Sequence, residues 1–221
     1  SIRTGGDPWR RIAPACPITL APKPALDRTG RNAASSWRIP RTTGWLVAPG
    51  VTGRSVRVLN VHQRSLRASP AQAARLLDGL SSPQDPLWPS EAWPRMRFDR
   101  PIQPGALGGH GPIRYAVASY EPGQRITFRF TAPRGFVGQH WFEVLPEGAS
   151  GTLLRHTIRM TLTGSALLSW PLVYRPLHDA LVEDALTKAQ LTHGEQPARV
   201  RWSPWVRLLR RALTRRSGRA R

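Results

Sequence analysis

Three alternating runs each carry one polar residue among apolar neighbours of the same parity. Ile113, Tyr115 and Val117 share a side of one run, His140, Phe142 and Val144 of a second, and Leu154, His156, Ile158 and Met160 of a third. Two imidazoles and a phenol on a shared apolar surface can orient a bound molecule through hydrogen bonds. They can also move a proton while a carbonyl compound cyclises or loses water. The alternative for each is a core or rim residue bonded to backbone. His110, within Gly108-Gly109-His110-Gly111, stands either at the mouth of such a surface or in solvent.

Other chemistries leave weaker traces. The sequence holds no nucleophile elbow, phosphate-binding loop, dinucleotide fingerprint or paired Cys/His zinc pattern. His178, Asp179, Glu183 and Asp184 lie close together, but the pair one helical turn apart is Asp179/Glu183, with no histidine on its side. They read as a solvated acidic face, so neither a metal nor another cofactor is expected. Cys16 is the single cysteine and cannot form an internal disulfide. Between Pro86 and Pro94, Trp88 and Trp93 sit in a proline-rich loop. Each indole can cover on the order of 150–250 Å² of apolar surface. At about 25 cal/mol per Å², two of them hold a loop down by several kcal/mol, as a lid or as a plug.

Positioning these residues requires strands. A β-branched run starts near Ser55, and Ser69-Pro70 then opens a helix that closes at Gly79. Strand-sized runs follow at Arg95–Asp99, Ile113–Tyr120, Arg125–Thr131, Gln139–Leu145 and Thr152–Leu162. Their separators are rich in Gly and Pro, among them the stretch 105–112, and their shortness favours an antiparallel meander. Ile126, Phe128 and Phe130 oppose Arg125, Thr127, Arg129 and Thr131, as a sheet covered on one side needs. From about Ala166 the period becomes helical, with Leu177, Ala180, Leu181 and Ala185 on one side. Pro171 and Pro176 confine regular helix to the part after Arg175, or kink it there.

This order of elements resembles the START-like (SRPBCC) superfamily, which includes polyketide cyclase/dehydrase and lipid-transport proteins. The resemblance covers about residues 55–192. It rests on the strand order, the segment Gly-Pro-Ile-Arg-Tyr-Ala-Val-Ala-Ser-Tyr-Glu-Pro-Gly (111–123), the hairpin runs Arg-Ile-Thr-Phe-Arg-Phe and His-Trp-Phe-Glu-Val, and a closing strand before a long helix. It implies an α+β helix-grip fold, a curved antiparallel sheet wrapped around the C-terminal helix, with an apolar cavity between them. It implies no single chemistry. The expected lining is Trp88, Trp93, His110, Tyr115, Phe128, Phe130, His140, Phe142, His156, Ile158, Leu177 and Leu181. His140, His156 and Tyr115 are the candidates for any catalytic role.

The 221 residues suffice for one such domain, 54–194, with flanking segments. Net charge is +20, from 33 basic and 13 acidic residues, yet residues 51–196 carry 16 and 11. Most of the excess lies at the ends, so nucleic acid is not an expected partner of the folded domain. Arginine outnumbers lysine heavily, as a GC-rich bacterial coding sequence would produce. Residues 1–53 hold prolines and isolated tryptophans without a period. They read as disordered, or as an upstream start assigned in error, with Val51 as a GTG initiation site. Arg10-Arg11 before Ile-Ala-Pro-Ala-Cys is too proline-broken for an export signal, and the longest apolar stretch, Ala166 to Tyr174, is too short for a membrane span. A cytoplasmic location follows as the expectation.

In the segment 195–221, Trp205, Val206, Leu208, Leu209, Ala212 and Leu213 fall in one arc opposite Arg207, Arg210 and Arg211. Three readings stand: a solvated tail, a helix lying on an anionic (inner) membrane surface, or a contact for RNA, the ribosome or an acidic partner. For the domain, the first expectation is binding of a lipid, polyketide or aromatic metabolite. The alternatives are a cofactor-independent cyclase/dehydratase and a protein- or ribosome-interaction module.

Overall fold

The computed structural model describes residues 54–148, 151–197 and 200–219. The stretch 1–53, with Cys16 and Val51, lies outside the described residues. Strand β1 (Ser55–Leu66) leads to helix α1 (Pro70–Asp78), whose N-terminus is closed by reciprocal bonds between Ser69 and Gln72. Then come β2 (Arg97–Phe98), β3 (Leu107–His110), β4 (Ile113–Glu121), β5 (Arg125–Ala132), β6 (Phe136–Glu147) and β7 (Gly151–Thr163). Helix α2 (Ala166–Ser169), a π-helical turn (Trp170–Tyr174) and helix α3 (Arg175–Thr192) run on without a break, and α4 (Pro204–Arg219) ends the chain.

The strands form one antiparallel sheet in the order β1-β7-β6-β5-β4-β3-β2. The chain leaves one edge after β1 and re-enters at the other with β2. Curved around α3, this is the expected helix-grip architecture. Register places residues in rows across the inner face. Ile126, Phe142, His156 and His62 make one row; Phe128, His140, Ile158 and Asn60 make the next. Leu76, Leu77, Phe128, Phe142, Leu154 and Leu186 are among the core residues with almost no exposure.

One local feature differs from expectation. The glycine-rich stretch is not only a separator: it contains β3. A Cβ at Gly108 would lie 2.3 Å from the Arg97 carbonyl and 2.4 Å from the Phe98 ring, so the missing side chain is what lets β2 pair there. The long regular helix begins at Arg175, where Pro171 and Pro176 were expected to confine it, and a four-residue helix and a π-helical turn precede it. The π-helical turn accommodates the missing N–H of Pro171, and Pro176 lies at the junction of that turn with α3.

The segment beyond 194 also packs back onto the domain. Val206 of α4 is buried within the main core cluster. Among the described residues, no helix is long and apolar enough to cross a membrane.

Candidate functional site

A cavity of about 310 Å³ lies between the inner face of the sheet and α3. Phe130, His140 and Ile158 line it from the sheet, and Leu177, His178 and Leu181 from the helix. Trp93, Pro94 and His110 close one side, and Trp170 and Tyr174 of the π-helical turn help to close the rest. Leu213 of α4 also reaches it. Seven of the expected lining residues therefore meet here: Trp93, His110, Phe130, His140, Ile158, Leu177 and Leu181.

The other five do not line it, each for a packing reason. Phe128 is stacked beneath His140, with ring centroids 4.9 Å apart. Tyr115 is enclosed by Phe98, Phe128, His110 and His140. His156 lies against Phe142 on one side and His178 on the other, at 4.5 and 5.0 Å, which shuts both residues off from the cavity. Trp88 packs on the far side of His110, at 4.7 Å, and its indole N–H donates to the Pro94 carbonyl.

The lining is largely apolar, and its main polar groups are three imidazoles and the Tyr174 phenol. His140 Nδ1 and His156 Nε2 share a hydrogen bond of 3.3 Å, made possible because the two residues are diagonal neighbours on β6 and β7. That leaves His140 Nε2 buried with no protein partner, as is His178 Nε2. Burial, then like-charge repulsion from neighbouring histidines, holds His140 and His156 well below the ordinary imidazole pKa. The same causes, with Arg114, hold His110 at about 3. For His178, burial lowers the pKa and outweighs the opposing pull of Asp179. At neutral pH the cavity wall is therefore uncharged. Burial also pushes the Tyr115 phenol up, and its hydroxyl has no partner.

Asp184, midway along α3, fastens to that helix both the loop and the segment that leads into α4. Its Oδ2 accepts the indole N–H of Trp93 at 2.7 Å and of Trp202 at 2.9 Å. The Arg210 guanidinium lies over both rings, 3.8 Å from Trp202 and 4.6 Å from Trp93, and donates to the Ala92 carbonyl. Arg210 thus belongs to an internal contact, not to the outward basic face expected of it. Trp205 is half exposed and donates to the Leu172 carbonyl, while Arg207 and Arg211 stand at the surface.

The acidic residues of α3 correct a second expectation, because they are not a solvated face. On the side toward β1, His62 Nε2 lies 3.1 Å from Asp179 Oδ1 and Nδ1 lies 2.8 Å from Glu183 Oε1. Burial alone would lower the His62 pKa, but the two carboxylates together raise it to about 9. Asp179 is lowered in return: burial opposes this, and bonds to His178 and His62 prevail. Asn60, Arg64 and Arg175 complete the network. His62 was not singled out from sequence, and His178 was read only as part of a solvated acidic face. The available signal was the parity of Val56, Val58, Asn60 and His62, which places His62 on one side of β1, but nothing local says which side faces α3.

No family model matches the sequence, and no curated protein matches it. Solved structures of similar fold exist. CalU16 from Micromonospora echinospora is 15% identical over 80% of this chain and 93% of its own, with a TM-score of 0.44. Norcoclaurine synthase from Thalictrum flavum, bound to a transition-state analogue, is 16% identical over 64% of this chain and 98% of its own, with a TM-score of 0.49. A protein from Thermobifida fusca is 16% identical over 64% and 99%, with a TM-score of 0.47. These likenesses concern fold alone.

Proposed function

We propose that the chain binds a small, largely apolar molecule bearing a hydroxyl or carbonyl oxygen, held between the sheet and α3. The observation that carries this reading is a largely apolar cavity whose lining includes two imidazoles, each with a buried ring nitrogen that no protein group satisfies. An unsatisfied buried polar group costs about 1–3 kcal/mol, which a ligand oxygen at His140 Nε2 or His178 Nε2 recovers. The volume lies at the low end of small-molecule sites, roughly 300–1,000 Å³, and so favours a compact aromatic or isoprenoid compound over a long acyl chain. Binding is favoured over catalysis because the cavity histidines are depressed far from the pH at which an imidazole is an efficient base.

One observation supports proton transfer as a second reading. His178 Nδ1 lies 3.4 Å from Asp179 Oδ1, so a carboxylate stands behind a cavity imidazole, as it does behind many histidine bases. A cyclase or dehydratase would use that pair.

Native mass spectrometry of the full chain purified from its host, followed by extraction, tests both readings. A stoichiometric apolar compound recovered unchanged after incubation supports binding, and its conversion supports catalysis. An empty protein that also takes up no hydrophobic dye contradicts both.

A further inference from the structure

On the side of α3 turned toward β1, three potential ligand atoms for a cation converge from two distant parts of the chain. His62, His178 and Asp179 each offer one, and all lie within 4.8 Å of one another. We infer that these three residues form a binding site for a divalent first-row transition metal ion, of which zinc is the representative. Two of the three separations already suit a common ion: 3.1 Å from His62 Nε2 to Asp179 Oδ1, and 3.4 Å from His178 Nδ1 to the same oxygen. Ligands about 2.0–2.2 Å from one ion, at tetrahedral to octahedral angles, lie roughly 3.0–3.5 Å apart. The third, between the two imidazoles, is within 4.8 Å and would have to shorten on binding.

The surroundings are those of a metal site. A metal-bound histidine ordinarily donates its other ring N–H to a carboxylate. Here His62 Nδ1 faces Glu183 Oε1 at 2.8 Å, and Glu183 is itself held by Arg64. Asn60 Nδ2 donates to Asp179 Oδ1 at 3.0 Å, and Arg175 approaches Asp179 Oδ2 at 3.5 Å, so the carboxylate is oriented from both sides. Two imidazoles and one carboxylate select zinc and its neighbours over calcium or magnesium, which take all-oxygen sites. Side-chain exposures of 14% for His62, 17% for His178 and 33% for Asp179 leave an entry path and room for water at a further position.

A consequence reaches the cavity. With Nδ1 on the ion, His178 keeps its proton on Nε2, the partnerless nitrogen of a cavity residue, and becomes a fixed donor to a ligand oxygen. That consequence rests on the proposed cavity function; the ion site does not.

The test is calorimetric titration of Zn²⁺ into the tag-free full chain after stripping with a chelator, with Co²⁺ absorption as the spectroscopic counterpart. The expected result is one saturable site. Asp179→Asn and His62→Phe should abolish saturation, Glu183→Gln should weaken binding by about 10-fold, and a His193→Gln control should leave it unchanged. Thermal melts confirm that each variant is folded, and Asp179→Asn, nearly isosteric, carries the decision if His62→Phe is not. No saturable uptake by the native chain, or equal affinity in Asp179→Asn, overturns the inference whatever the cavity binds.

Discussion

The two flanks of α3 handle the same residue type in opposite ways. On the cavity flank, His110 and His140 are held neutral by burial among aromatic neighbours, and His140 Nε2 has no partner. On the β1 flank, His62 occupies the same face of the sheet yet is held charged, because Asp179 and Glu183 both reach it. His178 belongs to both, lining the cavity while its Nδ1 faces Asp179. Burial depresses the imidazole on either flank; only the supply of carboxylates from one helix turn decides the outcome. A wall of neutral imidazoles suits an uncharged ligand, while the other flank suits a cation, whether a proton or a metal ion.

Acid should separate the flanks most sharply. The buried neutral histidines contribute stability that is fully present above about pH 6.5, their unfolded value. It is lost as the pH falls from there toward their depressed folded values. His140 and His156 alone should lose about 3 kcal/mol per pH unit between them. His62 runs the other way: in the metal-free protein its contribution is complete below about 6.5 and is lost as the pH rises through about 9. Chemical denaturation across pH should thus show a maximum between neutral and slightly alkaline pH, with the steeper fall on the acid side. A flat acid limb would remove the neutral wall.

Trp93→Ala should follow in size, at about 3–5 kcal/mol by denaturant melts, since it removes a buried indole that closes the cavity and carries Asp184 and Arg210. Dye uptake should change together with stability. Asp179→Asn should cost about 2 kcal/mol at neutral pH and flatten the alkaline limb, while the acid limb keeps its histidine part just below about pH 6.5 and loses only the part below about pH 4 that protonation of Asp179 itself supplies. The smallest effect belongs to His140→Leu with His156→Leu. Replacing both members of a hydrogen-bonded pair by apolar groups should change stability by less than about 1 kcal/mol at pH 7 and soften the acid limb. Affinity for an oxygen-bearing probe should nevertheless fall by about 10-fold, read by fluorescence titration.

The sheet was legible because strand parity is local. Apolar residues alternating with Arg and Thr over 125–131 name the buried side without knowledge of any neighbour, and they carried His140 and the rows around it. The helix α1 was equally legible from Ser69 and Pro70. What stayed hidden depends on partners far along the chain. The role of Asp179 is set by His62, more than a hundred residues earlier, on a strand where Leu59 and Val61 make the other parity apolar too. Arg210 belongs to the polar arc of its own helix, but Trp93 and Trp202 turn it inward. His156 and Tyr115 were placed on the correct face, yet a face does not reveal which of its residues a second layer of rings will cover.

The most direct measurement is nitrogen-15 NMR of the imidazole rings at pH 7, before and after adding a compact aromatic alcohol such as naphthol. The prediction is that His62 gives the signature of a charged ring in the metal-free protein, that His140 and His178 are neutral, and that naphthol shifts the Nε2 resonances of His140 and His178 above all others. A charged His140, or a saturating addition that leaves both of those nitrogens unmoved, would contradict the cavity as a binding site.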